Sequence, residues 1–164
     1  MHREGHIGVA IAAYAPLDFV AYAAGFPQVA LGGGAATVGL AMTPDVDMKI
    51  PGIPHRGPTH TVWFAAAFGV AGLLLGALMG AEYGVLGIIA LGLFGGLTAT
   101  LAVLSHLFAD ALTPMGVRPL EPRDDRELCY NIATASNPLA NYGLLVFGWA
   151  VALVFWAVAS AIAH

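Results

Sequence analysis

Between Met42 and Val62 the chain gathers Asp45, Asp47, His55, Arg56 and His60 into sixteen residues, flanked on both sides by nearly uncharged sequence. Farther on, His106 and Asp110 stand four apart, a spacing that puts both on one face of a helix. His6 lies near the start. Imidazole with carboxylate is a usual ligand set for zinc, manganese or iron. Asp45 and Asp47 alternate after Pro44, so one can bind an ion while the other orients a histidine. His6, Asp45, Asp47, His60, His106 and Asp110 are therefore candidate ligands for one or two divalent ions. His55 is a further candidate ligand or a general acid/base. Arg56 offers a bidentate grip on an anion. Behind it, Gly57 permits an unusual turn, Pro58 suits a first helical turn, and Thr59 adds a hydroxyl at what would be an anion-binding helix N-terminus.

Each residue also has a plainer role. His6 could be an interfacial polar group, and His106 with Asp110 a hydrogen-bonded pair at a helix end. Asp45 and Asp47 could cap the loop or pair with Lys49, and Arg56 could neutralise them. His2 and His164 are terminal and expected to be solvated. Asp18, within an apolar stretch near the opposite face, is expected to be structural. Cys129 has nothing nearby to activate it, and a lone cysteine excludes an internal disulfide and a cysteine-based zinc cage.

The elements that must position these groups follow from composition. Of 164 residues, 59% are hydrophobic and 10% charged, with mean hydropathy +0.78. Soluble domains carry about 25% charged residues. The chain is expected to be a single all-α domain over residues 1–164, a polytopic transmembrane helical bundle. About five spans are predicted, over 5–24, 27–43, 58–80, 83–112 and 138–163. The first is read as a retained helix, because His6 and Asp18 sit in or beside it and more spans follow. Gly32-Gly33-Gly34 at the middle of the second either allows close helix contact or breaks the helix. Gly72, Gly76 and Gly80 form a small-residue stripe on the third that would permit a helix–helix dimer.

Two loops, Pro44–Gly57 and Thr113–Asn137, are long and polar; the other connections are short. Five spans place both long loops on one face. All six Lys and Arg residues fall there: Arg3, Lys49, Arg56, Arg118, Arg123 and Arg126. The positive-inside rule then puts that face, with the N-terminus and the candidate ligands, in the cytoplasm. The net charge of −4 is spread over loops and gives no nucleic-acid surface. The charges of Thr113–Asn137 largely cancel, so that loop is read as solvated or as a cap over the site.

The boxes Pro44-Asp45-Val46-Asp47, His55-Arg56-Gly57-Pro58-Thr59-His60 and His106-x-x-x-Asp110-x-x-Thr113-Pro114-x-Gly116, with the early His6, occur in an order that resembles the YdjM-type family of inner-membrane proteins. The resemblance runs from His6 to about Pro119. It implies a membrane-bound, metal-dependent hydrolase. Arg56 and the position of the cluster at headgroup depth point to a phosphoester in an amphiphilic, lipid-like substrate, with membrane lipids as surroundings. A metal-transport or metal-sensing protein is the main alternative, although transport ligands usually lie near the midplane. A membrane metallopeptidase lacks support, since no His-Glu-x-x-His is present. A bundle with a purely structural polar knot is the remaining reading.

Overall fold

The computed structural model describes residues 1–162. His164, expected to be solvated, and the last residue of the fifth predicted span lie outside the described residues. Five α-helices make the body: α1 (Arg3–Ala23), α2 (Pro27–Leu40), α3 (Val62–Gly80), α4 (Gly84–Ala111) and α5 (Pro138–Ile162). Short 3-10 turns occupy Pro44–Lys49, Pro58–His60 and Ala81–Tyr83. Among the described residues there is no strand, only an isolated antiparallel bridge between Val117 and Leu128. The all-helical expectation holds.

Three helical stretches are long and apolar enough to cross a membrane: Arg3–Ala23, Val62–Ala111 and Pro138–Ile162. The middle one doubles back at Ala81–Tyr83, so that α3 lies along α4. The second expected span is shorter than read. Helix α2 has 14 residues, about 21 Å of helix, and residues 44–49 beyond it are a 3-10 turn. The third begins at Val62 rather than Pro58, because Thr61 is its N-cap and accepts from Phe64 N–H at 3.3 Å.

Glycine decides how closely the helices approach. A Cβ at Gly72 would overlap the Gly95 carbonyl, one at Gly76 the Leu91 carbonyl, and one at Gly80 the Gly87 carbonyl. The stripe on α3 is thus consumed within the chain, against α4, and is not available for the dimer contact expected from it. Gly8 and Gly148 bring α1 and α5 together in the same manner. Where lipid replaces water, no hydrophobic drive holds helices together, and close main-chain packing takes its place.

The burial pattern is inverted relative to a soluble domain. His6, His60, His106, Asn141, Thr37, Thr113, Asp47 and Asp110 are among the largest fully buried side chains. Leu74, Leu78, Leu86, Trp149 and Leu153 are exposed. Helix α2 returns along α1, with Tyr14 Oη donating to the Ala30 carbonyl at 2.6 Å. It delivers Ala41 to the same end of the bundle as the first turn of α1, the last turn of α4 and both long loops.

Candidate metal centre

Two helix ends and two loop segments build the cluster. Asp110 and His106 come from the last turns of α4 and share one face, as their spacing predicts. His60 closes the 3-10 turn before α3, and Asp45 lies in the turn after α2. One ligand atom from each of Asp45, His60, His106 and Asp110 falls within 4.8 Å of all the others. His106 Nε2 stands 3.2 Å from His60 Nε2, 3.3 Å from Asp45 Oδ1 and 3.6 Å from Asp110 Oδ2. His60 Nε2 stands 3.5 Å from Asp45 Oδ1 and 3.5 Å from Asp110 Oδ2. These are five edges of one tetrahedron. Four ligands around a zinc-sized ion at bond lengths near 2.0–2.1 Å are separated by roughly 3.3–3.4 Å. These five separations match that spacing.

The far side of each imidazole supports that fit. His106 Nδ1 lies 2.7 Å from the Ala41 carbonyl, which can only accept, so Nδ1 carries a proton. His60 Nδ1 faces Thr59 Oγ1 at 3.1 Å and Asp47 Oδ2 at 3.3 Å. Thr59 Oγ1 itself donates to Asp47 Oδ2 at 3.0 Å, leaving its lone pairs to accept from His60. In the neutral rings both Nε2 lone pairs then converge on the space flanked by Asp45 and Asp110. A histidine held through its other nitrogen by a carboxylate or carbonyl is how ligating histidines are usually fixed.

Asp47 therefore orients rather than joins the group of four. Its carboxylate is filled by His55 Nδ1 (3.1 Å), Arg56 N–H (3.0 Å) and the Thr59 hydroxyl. Asp47, His55 and His60 also lie close enough to form a second, smaller set of donors. Burial would raise the Asp47 carboxyl, but these hydrogen bonds outweigh it and hold it below the ordinary carboxylate range. The same holds for Asp45, where burial is outweighed by the His106 and His60 imidazoles. For His60, burial favours the neutral ring, yet Asp110 and Asp45 prevail and raise its pKa.

His6 is brought to the cluster but stands outside the tetrahedron. Its ring stacks on His106 at 3.8 Å between centroids, 5° from parallel. Its Nε2 lies 3.1 Å from the Met1 carbonyl and 3.5 Å from Asp110 Oδ1, the carboxylate oxygen turned away from His60 and His106. That oxygen also accepts from the Met1 nitrogen at 2.6 Å and from Arg56 Nη2 at 2.8 Å.

Arg56 departs from its expected place. The left-handed residue in this box is Arg56 itself, at φ 62°, a conformation uncommon for a residue with a side chain. It turns the guanidinium inward, where Nη1 donates to Thr113 Oγ1 at 3.2 Å and the Gly116 carbonyl at 2.6 Å, and Nη2 to Asp110. Those contacts engage both terminal nitrogens expected to grip an anion, while Nε is buried without a partner. Nor is an open helix N-terminus found behind it: Thr59 is committed to Asp47, and α3 is capped by Thr61.

Several participants gave no sequence signal. The Ala41 carbonyl is a main-chain group that any residue type supplies. Asn141 is buried, accepts from His2 N–H at 2.9 Å, and donates to the Ala135 and Asn137 carbonyls. It ties the start of α5 to the start of α1. Thr113 and Gly116 lie in the quoted third box, yet their role as acceptors for Arg56 becomes visible only in three dimensions.

The loop after α4 is anchored. Val117 and Leu128 exchange hydrogen bonds of 3.0 and 2.8 Å, Tyr130 N–H reaches the Ala111 carbonyl at 2.7 Å, and Val62 N–H reaches the Pro119 carbonyl at 2.8 Å. Arg123 lies 4.5 Å over the Trp63 ring. Between this loop and the His55–Gly57 segment is an open depression of about 290 Å³.

Apolar helices enclosing a polar His/Asp cluster at one end define an α-helical membrane protein with a candidate metal centre. The sequence model of the family described as "YdjM inner membrane protein" matches residues 1–164. The chain belongs to that family, and the match extends the resemblance past Pro119 to the whole chain. No curated protein and no solved structure gives a match.

Proposed function

We propose that the protein is a membrane-embedded, metal-dependent hydrolase, acting at the cytoplasmic face on a phosphoester of an amphiphilic substrate. The observation that carries the reading is the near-tetrahedral convergence of Asp45, His60, His106 and Asp110, with both histidines fixed from behind. When bound, a divalent ion there (zinc, manganese or iron) would activate water and polarise the scissile bond. The chain's own residues supply the rest. Asp47 aligns His60, and Arg56 braces Asp110 against the Thr113–Gly116 segment. His55, 38% exposed in its side chain, stands at the rim, where it can take or deliver a proton. His6 with Asp110 Oδ1 and the Met1 carbonyl would be the place for a second ion, in competition with the Arg56 contact.

Five crossings fit the connectivity, with α2 as a short return. The gathering of all six Lys and Arg residues at the cluster end supports a cytoplasmic site.

A second reading rests on the same geometry. Four protein ligands close a tetrahedron, as structural zinc sites do, whereas catalytic sites keep a position open. The ion would then clamp the loops to the helix ends. Of the four ligands Asp45 is the most exposed, its side chain at 13% against 0–2% for the others. It is the ligand able to yield a position to water.

Elemental analysis of detergent-purified protein beside a His60→Ala/His106→Ala variant separates the outcomes. Stoichiometric metal that vanishes in the folded variant, with metal-dependent phosphoester hydrolysis, supports the enzyme. Metal that raises unfolding temperature without turnover supports the clamp. Protein that takes up no zinc, manganese, iron or magnesium overturns both.

A further inference from the structure

The depression beside the cluster is lined by His55, Arg56, Arg118, Glu121 and Glu127, with Met115 at its apolar edge. Its charges do not suit a simple anion. Arg56 turns both terminal nitrogens onto Asp110, Thr113 and Gly116, and its Nε is buried. The remaining fixed charges are one cation, Arg118, and two carboxylates. A doubly charged phosphomonoester would meet both carboxylates with only one arginine to offset them.

We propose that this depression receives a zwitterionic phosphodiester headgroup, with Arg118 holding the phosphate and Glu121 and Glu127 holding the cationic end. This rests on the phosphoester reading above and narrows its substrate class.

Three observations support the assignment. First, Arg118 and Glu127 are held side by side by the Val117–Leu128 bridge, yet their charged groups stand 4.0 Å apart and each side chain is about half exposed. An ion pair of that kind contributes little, so opening it to admit one phosphate and one ammonium loses little. Second, His55 lines the same depression as Arg118, and its ring centroid lies 5.3 Å from that of His60. The depression therefore comes within one side chain of the ligand group. Third, Met115, Leu120, Leu128 and Tyr130 around this loop are exposed, an apolar border suited to the acyl part of an amphiphile.

The test is equilibrium binding of three water-soluble headgroups to the detergent-solubilised protein: glycerophosphoethanolamine, glycerophosphoglycerol and glycerol 3-phosphate. Hydrolysis of phosphatidylethanolamine, phosphatidylglycerol and phosphatidic acid in mixed micelles is measured in parallel. The zwitterion is expected to bind about fivefold more tightly than the other two, the size of one partly exposed charge pair. Glu121→Gln/Glu127→Gln should erase that preference, and Arg118→Gln should weaken both diesters equally. Equal binding of all three headgroups, tighter binding of the monoester, or a preference that survives in the glutamate variant overturns the proposal. Selective binding without turnover sinks the hydrolase reading and leaves the headgroup site standing. Turnover without selectivity does the reverse.

Discussion

The two ends of α4 solve opposite problems. From Gly87 to Gly96 the helix gives up side chains, so that α3 can lie against its main chain. From Ser105 to Asp110 it carries groups that apolar surroundings penalise, and buries them completely. At the first end the partner is carbonyl and Cα; at the second it is imidazole, carboxylate and guanidinium. The contrast teaches that the apolar end needs only the absence of bulk, which many sequences satisfy. The polar end needs particular donors opposite particular acceptors. A polar group buried at such cost in one place, with its neighbours turned to serve it, is a functional signal.

Substitutions can separate the two ends. Removing both imidazoles, in His60→Ala/His106→Ala, should abolish stoichiometric metal while the α3–α4 hairpin persists, checked by elemental analysis beside circular dichroism. Gly76→Leu should do the converse. Its side chain would overlap the Leu91 carbonyl, costing about 3 kcal/mol as overpacking does. Thermal unfolding should record the loss, whereas metal per folded molecule should stay near the native value. Asp47→Asn touches neither helix packing nor the four ligand atoms. It should still lower metal affinity by about 10- to 100-fold, as loss of a group that orients a ligand does, in a competition titration with a chelating dye.

A pH series should sharpen the contrast further. Asp110 and Asp45 raise the pKa of His60 above its ordinary 6.5, against the pull of burial. Without metal, the folded state thus holds this proton more tightly than the unfolded chain. That stabilisation is complete below the unfolded pKa and fades as pH rises through the raised one. With metal the sign reverses, because the ion must displace the proton. Apparent affinity should climb with pH across that window and then level off. Opposite slopes of unfolding temperature against pH, with and without zinc, are the expected result. Parallel slopes would show that His60 does not exchange a proton for the ion. The Gly76→Leu protein should follow the native pattern at a lower temperature.

Much of the site could be read from residue spacing. The four-residue step from His106 to Asp110 on a helix, and the Pro-Asp-x-Asp turn, place Asp45, His106 and Asp110 where they are found. What the spacing could not give is direction. Asp47 and Asp45 are two apart, and only the folded turn shows that one orients while the other faces the cluster. Arg56 reads as a free anion clamp because its left-handed backbone is invisible in a motif of that composition. The glycine stripe on α3 is legible as a close-packing face, but its partner is not, since a helix in the same chain and a second copy offer the same chemistry. The second expected span was read too long for a related reason. Residues 41–43 are as apolar as a helix end requires, but α2 stops at Leu40.

That stopping point has a consequence for the metal centre. Had α2 continued by one turn, the Ala41 carbonyl would accept from the Asp45 N–H within the helix and would be lost to His106. Asp45 would also be carried around the helix axis. Pro44 forbids this, since it has no N–H to offer Leu40 and its ring crowds that carbonyl. Thr43 takes the place of the missing donor, through its N–H at 2.9 Å and its hydroxyl at 2.7 Å. One proline therefore acts as a length gauge: it leaves a helix end unfinished, and the unfinished carbonyl sets which nitrogen of His106 is free to bind.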